Sequence, residues 1–306
     1  MKGKSKREDV QLFRLNLIDN IFQLHEDLAN HTYTHGPYQA FRINDPKPRK
    51  IHKSSVRDRL LHHAVYRILY PFFDRMFITD SYSCRLQKGT HKAMNRFRRF
   101  AWQESQNHTR ICWVLKCDIR KFFENINHEI LLNILIERIS DNKITALLEN
   151  IIGSFSSGPS RGLPLGNLTS QLFVNIYMNE FDQAVKQVFG ITHYIRYADD
   201  FVIFYHDKSR LEELLPKFAD FLEEHLSLEL HPKKISIKTI ASGIDFLGWV
   251  HFPNHRVLRT TTKRRMFRRI AERKGNETTI QSYLGLLRHG NARKLQVVVD
   301  KLAGLV

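Results

Sequence analysis

The chain has 306 residues, 42% of them hydrophobic, so it is long enough to bury a sizeable core. Lys and Arg number 48 against 31 Asp and Glu, and the net charge of +17 favours a polyanionic partner. No stretch approaches the roughly 18 consecutive apolar residues of a membrane-spanning helix, so we expect no membrane association.

The first predicted elements are a helix over residues 8–30 and a strand pair over residues 41–53. The helix carries an apolar stripe that we expect to pack against the rest of the chain. The turn between the two strands is stiffened by prolines and is basic, with Lys47 and Arg49 among its residues. A second helix is predicted over residues 54–70, because serines that can cap it precede an acid in its first turn.

Two glycine-containing segments come next in the chain. The turn at residues 88–91 precedes a helix carrying Arg96, Arg98 and Arg99, a candidate face for binding a phosphate backbone. Further on, a Gly-rich segment over residues 161–171 leads into a helix that runs to about residue 189. Small residues let the backbone approach a ligand closely, although a purely structural helix remains the alternative.

Two apolar strands lead into carboxylates. The strand over residues 111–117 is followed by Asp118, and residues 193–205 predict strand, turn and strand around Asp199 and Asp200. Adjacent carboxylates repel one another, so a cation should accompany them. If the strands are neighbours in one sheet, Asp118 lies beside Asp199, and the acids can hold two Mg²⁺ ions about 3.5–4 Å apart. An ordinary hairpin with solvated Asp in its turn is the alternative.

The order of these motifs resembles that of reverse transcriptases: Asp118, then the Gly-rich segment, then Tyr-Ala-Asp-Asp at residues 197–200. The resemblance extends along nearly the whole chain and is closest to the enzymes of diversity-generating retroelements. Those enzymes have a hydrophobic residue before the glycine and Ser-Gln after it. In this chain the hydrophobic residue is Leu165, before Gly166, and the Ser-Gln pair is Ser170-Gln171. Retroviral and group II intron enzymes usually have Pro-Gln-Gly and Ser-Pro at these places.

The resemblance implies an α+β fold, the right-hand polymerase. Fingers with an N-terminal helix and a hairpin would span residues 1–110, and a ferredoxin-like (RRM-like) palm with the primer grip would span residues 111–250. A helix predicted over residues 207–226 completes the palm. A short helical thumb would span residues 251–306, where 13 Lys or Arg oppose three acids. This charge fits a thumb laid along an RNA–DNA duplex, with a solvated charged face as the alternative. From the length we expect no separate nuclease module.

The resemblance also implies roles for individual residues. A lysine after the palm helix would protonate the leaving pyrophosphate, and Lys233 is preferred to Lys234. Phe123 would lie under the sugar and exclude a 2′-hydroxyl, which favours dNTPs, although either phenylalanine of the Phe122-Phe123 pair could be core. The implied metal ligands are Asp118, Asp199, Asp200 and the backbone carbonyl of Ile119. The implied nucleotide-binding residues are Lys47, Arg49, Phe123, Leu165, Gly166 and Gln171. The implied template or primer contacts are Arg85, Gly89, Asn175, Gly248, Trp249, Arg265 and Arg269.

The resemblance implies an RNA-directed DNA polymerase that uses two Mg²⁺ ions, with Mn²⁺ as a substitute. Its partners would be a template-repeat RNA, the RNA–DNA duplex, dNTPs and a small basic accessory protein, and it would misincorporate opposite adenine. Three cysteines without a CxxC pair favour a reducing, cytoplasmic location. The alternatives are a reverse transcriptase of another bacterial lineage (group II-like, retron or phage defence) and an RNA-binding scaffold without catalysis.

Overall fold

The computed structural model of the protein describes residues 4–44 and 48–302. The α-helices are α1 (Glu8–Leu15), α2 (Leu17–Ala29), α3 (Val56–Asp74), α4 (Thr90–Glu104), α5 (Phe122–Asn125), α6 (His128–Ile136), α7 (Asn142–Gly153), α8 (Leu168–Gln183), α9 (Lys208–Leu226), α10 (Thr260–Glu272), α11 (Glu277–Leu287) and α12 (Arg293–Leu302). The strands are β1 (Gln39–Ile43), β2 (Arg49–Lys53), β3 (Trp113–Asp118), β4 (Tyr194–Tyr197), β5 (Asp200–Tyr205), β6 (Ser236–Thr239), β7 (Ile244–Phe246), β8 (Trp249–His251) and β9 (Arg256–Leu258). None of the described helices is both long and apolar enough to cross a bilayer.

The chain forms two compact units, each assembled from separate stretches of sequence. The first unit contains the chain up to residue 79 together with residues 119–190 and 217–230. The second unit contains residues 80–118, residues 191–216 and the chain from residue 231 onward. The three domains predicted with boundaries at residues 110 and 250 stay a prediction.

The second unit is built on an antiparallel sheet in the order β4-β5-β3-β6. Helices separate β3 from β4 and β5 from β6 along the chain, so the topology is the ferredoxin-like β-α-β-β-α-β pattern. The central strands β3 and β5 are apolar and rich in β-branched and aromatic residues, as expected of strands buried on both faces. On one face, Phe97 and Phe100 of α4 pack against Val114, Val202 and Phe204. The predicted α+β class is confirmed.

A second, three-stranded sheet in the order β7-β8-β9 belongs to the same unit. Trp249 of β8 is buried together with Met266 and Ile270 of α10 and Leu287 of α11. In α10 the buried side chains recur every four residues, and arginines occupy positions between them. The basic and apolar faces predicted for this helix therefore exist.

The first unit contains the β1–β2 hairpin and helices α1–α3 and α5–α8. Ser55 caps α3 by accepting a hydrogen bond from the Asp58 backbone N–H, as predicted. The helix predicted over residues 8–30 is two helices, because Asn16 leaves the helical conformation (φ −116°, ψ 44°). Apolar side chains on both sides of this break are exposed, among them Leu15 (78%) and Phe22 (61%). The prediction that the whole stripe packs is wrong.

Candidate active site

Two carboxylates face each other at the end of the central strands. Asp118 ends β3, Asp200 begins β5, and the antiparallel register makes them direct partners. Directly opposed residues share one face of a sheet, with Cβ atoms about 4.5–5.5 Å apart. Tyr197 also pairs with Asp200, so Ala198 and Asp199 form a two-residue turn between β4 and β5. The sequence predicted Asp199 as the neighbour of Asp118, whereas the register places Asp200 opposite it.

Burial and charge both act on these carboxylates. Asp118 is 9% exposed, and its Oδ1 accepts a hydrogen bond of 2.6 Å from Lys234 Nζ. Burial raises the pKa of Asp200 to about 6; the nearby Lys116 ammonium opposes this rise, and the carboxylates of Asp199 and Asp118 add to it. The charged form of Asp200 is therefore short of compensating positive charge.

The donor atoms suit a hard divalent cation. Asp200 Oδ1 is buried and accepts no hydrogen bond from a described residue, although Lys116 Nζ lies 3.3 Å away. Carboxylate oxygens are the preferred protein ligands of Mg²⁺. In the described part of the chain, however, no three His, Cys, Asp or Glu side chains are grouped closely enough to hold a metal. The arrangement of three acids around two ions stays a prediction.

A short 3₁₀ helix over residues 232–234 brings a lysine to the carboxylates. His231 precedes this helix, and its backbone N–H donates to the Asp118 carbonyl over 2.7 Å. Both lysines are exposed, and the one that reaches Asp118 is Lys234. The geometry thus favours Lys234 over the predicted Lys233.

Sequence reasoning missed Lys116. Its Nζ donates a 2.7 Å hydrogen bond to the backbone carbonyl of Asp245 and lies at ion-pair distance from Asp200. A signal for it exists, because side chains two residues apart in a strand share a face, and Lys116 precedes Asp118 by two.

In the first unit, the Gly-rich segment is fixed to strand β2. The Leu165 carbonyl accepts a 3.0 Å hydrogen bond from the His52 backbone N–H, and Asn167 Nδ2 donates to the His52 carbonyl over 3.0 Å. Gly166 has φ +111°, and a Cβ on it would lie 2.8 Å from Ile51 Cγ2. Only glycine fits this conformation and this space. Asn167 was not predicted as a site residue, although its position just before α8 is a signal for a polar anchor.

Other predicted nucleotide-binding residues also lie in the first unit. Phe122 is 4% exposed and belongs to the core, whereas Phe123 is partly exposed, so Phe123 keeps a surface for a ligand. Arg49 is exposed on β2, and Gln171 is partly exposed on α8. Lys47 lies outside the described residues. The predicted roles of these residues are not tested by their positions.

Asn175 and Trp249 are too deeply buried for direct contact with a nucleic acid. Asn175 is 2% exposed, and its Nδ2 donates to the Gln171 carbonyl of the same helix over 3.2 Å. Trp249 is 1% exposed, in the core beneath the β7–β8 turn. Gly248 in that turn has φ +86°, which a glycine adopts without strain. Trp249 supports the turn from inside the protein, so a direct primer contact by Trp249 or a template contact by Asn175 is contradicted.

The remaining predicted template or primer residues are all in the second unit. Arg85 donates a 3.1 Å hydrogen bond to the Ser81 carbonyl, and Gly89, with φ +99°, precedes α4. On α10, Arg265 and Arg269 are partly buried, and Arg269 lies 3.9 Å from the carboxylate of Glu272.

The comparisons with known protein families and with individual relatives agree with one another. The family described as reverse transcriptase (RNA-dependent DNA polymerase) matches residues 43–251, more than half of the chain. Protein YkfC of Escherichia coli K12 is 27% identical over 270 residues, covering 74% of this chain and 68% of YkfC. Group II intron-encoded protein LtrA of Lactococcus lactis is 24% identical over 235 residues, covering 72% of this chain but only 38% of LtrA.

Solved structures show the same fold. Apo telomerase from Candida tropicalis, truncated from its C-terminal domain, aligns with a TM-score of 0.56 and 13% identity over 79% of this chain and 60% of that chain. Telomerase from Candida albicans, in complex with a fragment of telomeric RNA, aligns with a TM-score of 0.55 and 11% identity over 75% of this chain and 47% of that chain. The right-hand polymerase fold and the enzyme class predicted from the sequence are confirmed, and the chain belongs to the reverse transcriptase family of RNA-dependent DNA polymerases.

Proposed function

We propose that this chain synthesises cDNA on an RNA template by two-metal nucleotidyl transfer from dNTPs. The observation that carries the proposal is the direct pairing of Asp118 with Asp200 at the end of β3 and β5, beside the tight turn that contains Asp199. Asp118 and Asp200 thus meet at one end of a ferredoxin-like sheet, and the buried Oδ1 of Asp200 accepts no hydrogen bond from a described residue, although Lys116 Nζ lies 3.3 Å away. These features suit the binding of divalent cations.

The residues divide the chemistry among them. Asp118, Asp199 and Asp200, with the carbonyl of Ile119, would hold divalent ions, Mg²⁺ or Mn²⁺ in its place. Such ions, when bound, lower the pKa of the primer 3′-hydroxyl and neutralise charge on the pyrophosphate. Lys234 would give its proton to the departing pyrophosphate oxygen, since its ammonium already lies against Asp118.

Substrate selection would depend on the first unit. The partly exposed ring of Phe123 would exclude a 2′-hydroxyl and so select dNTPs over rNTPs. Leu165 and Gly166 would border the nascent base pair, with their backbone fixed by the hydrogen bonds to His52. Arg49 and Lys47 would neutralise the triphosphate, since negative charge builds on its oxygens during transfer.

The test is dNTP incorporation by the purified protein on a primed RNA template with Mg²⁺. Asp199→Asn should lower the rate by at least about a hundredfold, since it removes a charge that the transition state needs. Asp220→Asn, on the exposed surface of α9, is the matched control and should keep the parent rate. If Asp199→Asn polymerises like the parent, the site assignment is wrong, and the hypothesis of an RNA-binding scaffold without catalysis is favoured.

We further propose that the chain serves a diversity-generating retroelement. The support is the sequence at Leu165-Gly166 and Ser170-Gln171, where other reverse transcriptases have Gln before the glycine and Pro after the serine. Replacing a polar side chain by Leu165 would weaken the positioning of the nascent pair and allow errors opposite template adenines. Leu165→Gln should lower the adenine-specific error frequency when the cDNA is sequenced, and an unchanged error spectrum would refute this role.

A second candidate is a reverse transcriptase of the group II lineage, which the identity to LtrA favours. The two candidates differ in template. Extension assays with the RNA encoded beside the gene separate them: a template-repeat RNA copied with adenine errors, together with a requirement for a small basic accessory protein, supports the retroelement. Faithful copying of an intron-like RNA without such a protein supports the group II lineage.

A further inference from the structure

A polar pocket of about 250 Å³ lies in the second unit, between α4, the β8–β9 turn and the end of α11. None of the candidate catalytic residues is among the described residues that line it. Its wall contains three arginines, three histidines and two asparagines, and among the described residues that line it none is acidic. The polar lining residues are Arg98, His251, Asn254, His255, Arg256, Arg288, His289 and Asn291.

The positive charge of this pocket has little internal compensation. Arg256 donates through Nε to the His289 carbonyl and through Nη2 to Asn95, but its buried Nη1 has no acceptor among the described residues. Arg98 and Arg288 are exposed, and neither is seen to form an ion pair or hydrogen bond with a described side chain. Burial and the charge of Arg98 lower the pKa of Arg256. An anion would relieve this repulsion.

A second depression of about 480 Å³ adjoins the pocket and shares Arg98 and Asn254 with it. It contains Arg99 and Trp102, which with Arg98 follow helical spacing on one face of α4. The indole of Trp102 is 49% exposed, and its Nε1 donates a 2.6 Å hydrogen bond to Asn107, which fixes the orientation of the ring. An exposed, oriented indole among arginines is a stacking platform for an unpaired base.

Arg96, which the sequence placed on the same basic face, does not belong to it. Its guanidinium pairs with both carboxylate oxygens of Asp80 at 2.8 and 3.1 Å and lies over the ring of Phe100. Of the three arginines, only Arg98 and Arg99 therefore remain on this face of α4, and they line the two depressions.

We propose that this surface, which we call the α4 groove, binds single-stranded RNA outside the catalytic site. Phosphates would be held by Arg98, Arg256 and Arg288, and a base would stack on Trp102. Single-stranded nucleic acid is favoured over a duplex because the bases of a duplex are already stacked on one another. The choice of RNA over DNA rests on the proposed function, in which an RNA template extends beyond the copied position.

The experiment measures affinity for a short labelled single-stranded RNA across a range of salt concentrations by fluorescence anisotropy. It uses the full chain carrying Asp118→Asn, so that binding is read independently of polymerisation. Arg98→Ala and Arg288→Ala should each reduce the slope of log K against log salt by about 0.7, the value for one phosphate contact on a single strand. Lys217→Ala, an exposed lysine on α9, is the control and should not change the affinity.

Stacking is tested separately. Trp102→Ala should weaken binding roughly fivefold to thirtyfold, whereas Trp102→Phe, which keeps an aromatic ring, should restore most of the affinity. Salt slopes and affinities that stay at the parent value in all groove variants would overturn the proposal. Equal losses with DNA of the same sequence would overturn the assignment to RNA. Saturation of the groove by inorganic phosphate, with RNA binding unaffected, would show a free-anion pocket instead.

Discussion

Gly166→Ala tests how the Gly-rich segment is positioned for catalysis. A methyl group at residue 166 would lie 2.8 Å from Ile51 Cγ2, closer than folded proteins allow, and alanine would have to adopt φ +111°. The unfavourable backbone conformation costs about 1–3 kcal/mol. Accommodating the methyl group costs about a further 1–3 kcal/mol. The flanking hydrogen bonds to His52 prevent the segment from moving freely, so both costs should be felt.

The backbone cost and the packing cost of Gly166→Ala can be separated by experiment. Ile51→Ala removes the atom that the new methyl group meets, so the double variant Gly166→Ala/Ile51→Ala should recover the packing part and keep the backbone part. Denaturant unfolding gives the stability of each variant, and primer extension gives kcat/KM for dNTP. A positioning loss of 2 kcal/mol corresponds to a decrease of about thirtyfold in kcat/KM.

The control is Gly153→Ala at the end of α7, where an added Cβ meets no atom within 4 Å. We expect this variant to be as stable and as active as the parent. If Gly166→Ala shows parental stability and parental kcat/KM, Gly166 does not approach Ile51 as described, and β2 does not position the Gly-rich segment.

Three further predictions concern other parts of the chain. Gly290→Ala would place a methyl group 2.0 Å from the buried indole of Trp249, so it should destabilise the protein by about 1–3 kcal/mol in thermal unfolding, and parental stability would contradict this packing. Burial lowers the pKa of His62 to about 4, so the unfolded chain binds this proton more tightly than the folded protein does. The free energy of unfolding should therefore fall by up to about 3 kcal/mol as the pH decreases from 6.5 to 4. In His62→Gln this part of the pH dependence should disappear. Lys234→Met should reduce the rate of single-turnover incorporation about a hundredfold, and Lys233→Met should reduce it less than about twofold. The reverse order would indicate that Lys233 protonates the pyrophosphate, as predicted from the sequence.

Local chemistry made much of the fold and the candidate site predictable. The strand before Asp118 and the strands around residues 197–200 consist of apolar, β-branched and aromatic residues, and such runs become buried strands wherever they pack. The ferredoxin-like topology follows once these strands and the intervening helices are placed in chain order.

Register and burial were not predictable in the same way. One residue decides whether Asp199 or Asp200 lies opposite Asp118, and this depends on Ala198 adopting φ +57°, which its side chain does not favour. Nothing near Trp249 in sequence reveals that α10 and α11 will cover it. Partners contributed by distant segments decide both outcomes.

Lys116 shows how such distant partners meet at the candidate site. Its Nζ contacts the carbonyl of Asp245, which leads into the Gly248 turn, and the carboxylate of Asp200. A single ammonium group thus connects the turn assigned to the primer with an acid assigned to the metal ions. If Lys116 were replaced by methionine, Asp200 would lose its nearest counter-charge while remaining buried, and the Asp245 carbonyl would lose a donor. The turn proposed to hold the primer end and the carboxylates proposed to bind metal ions are therefore joined through one side chain.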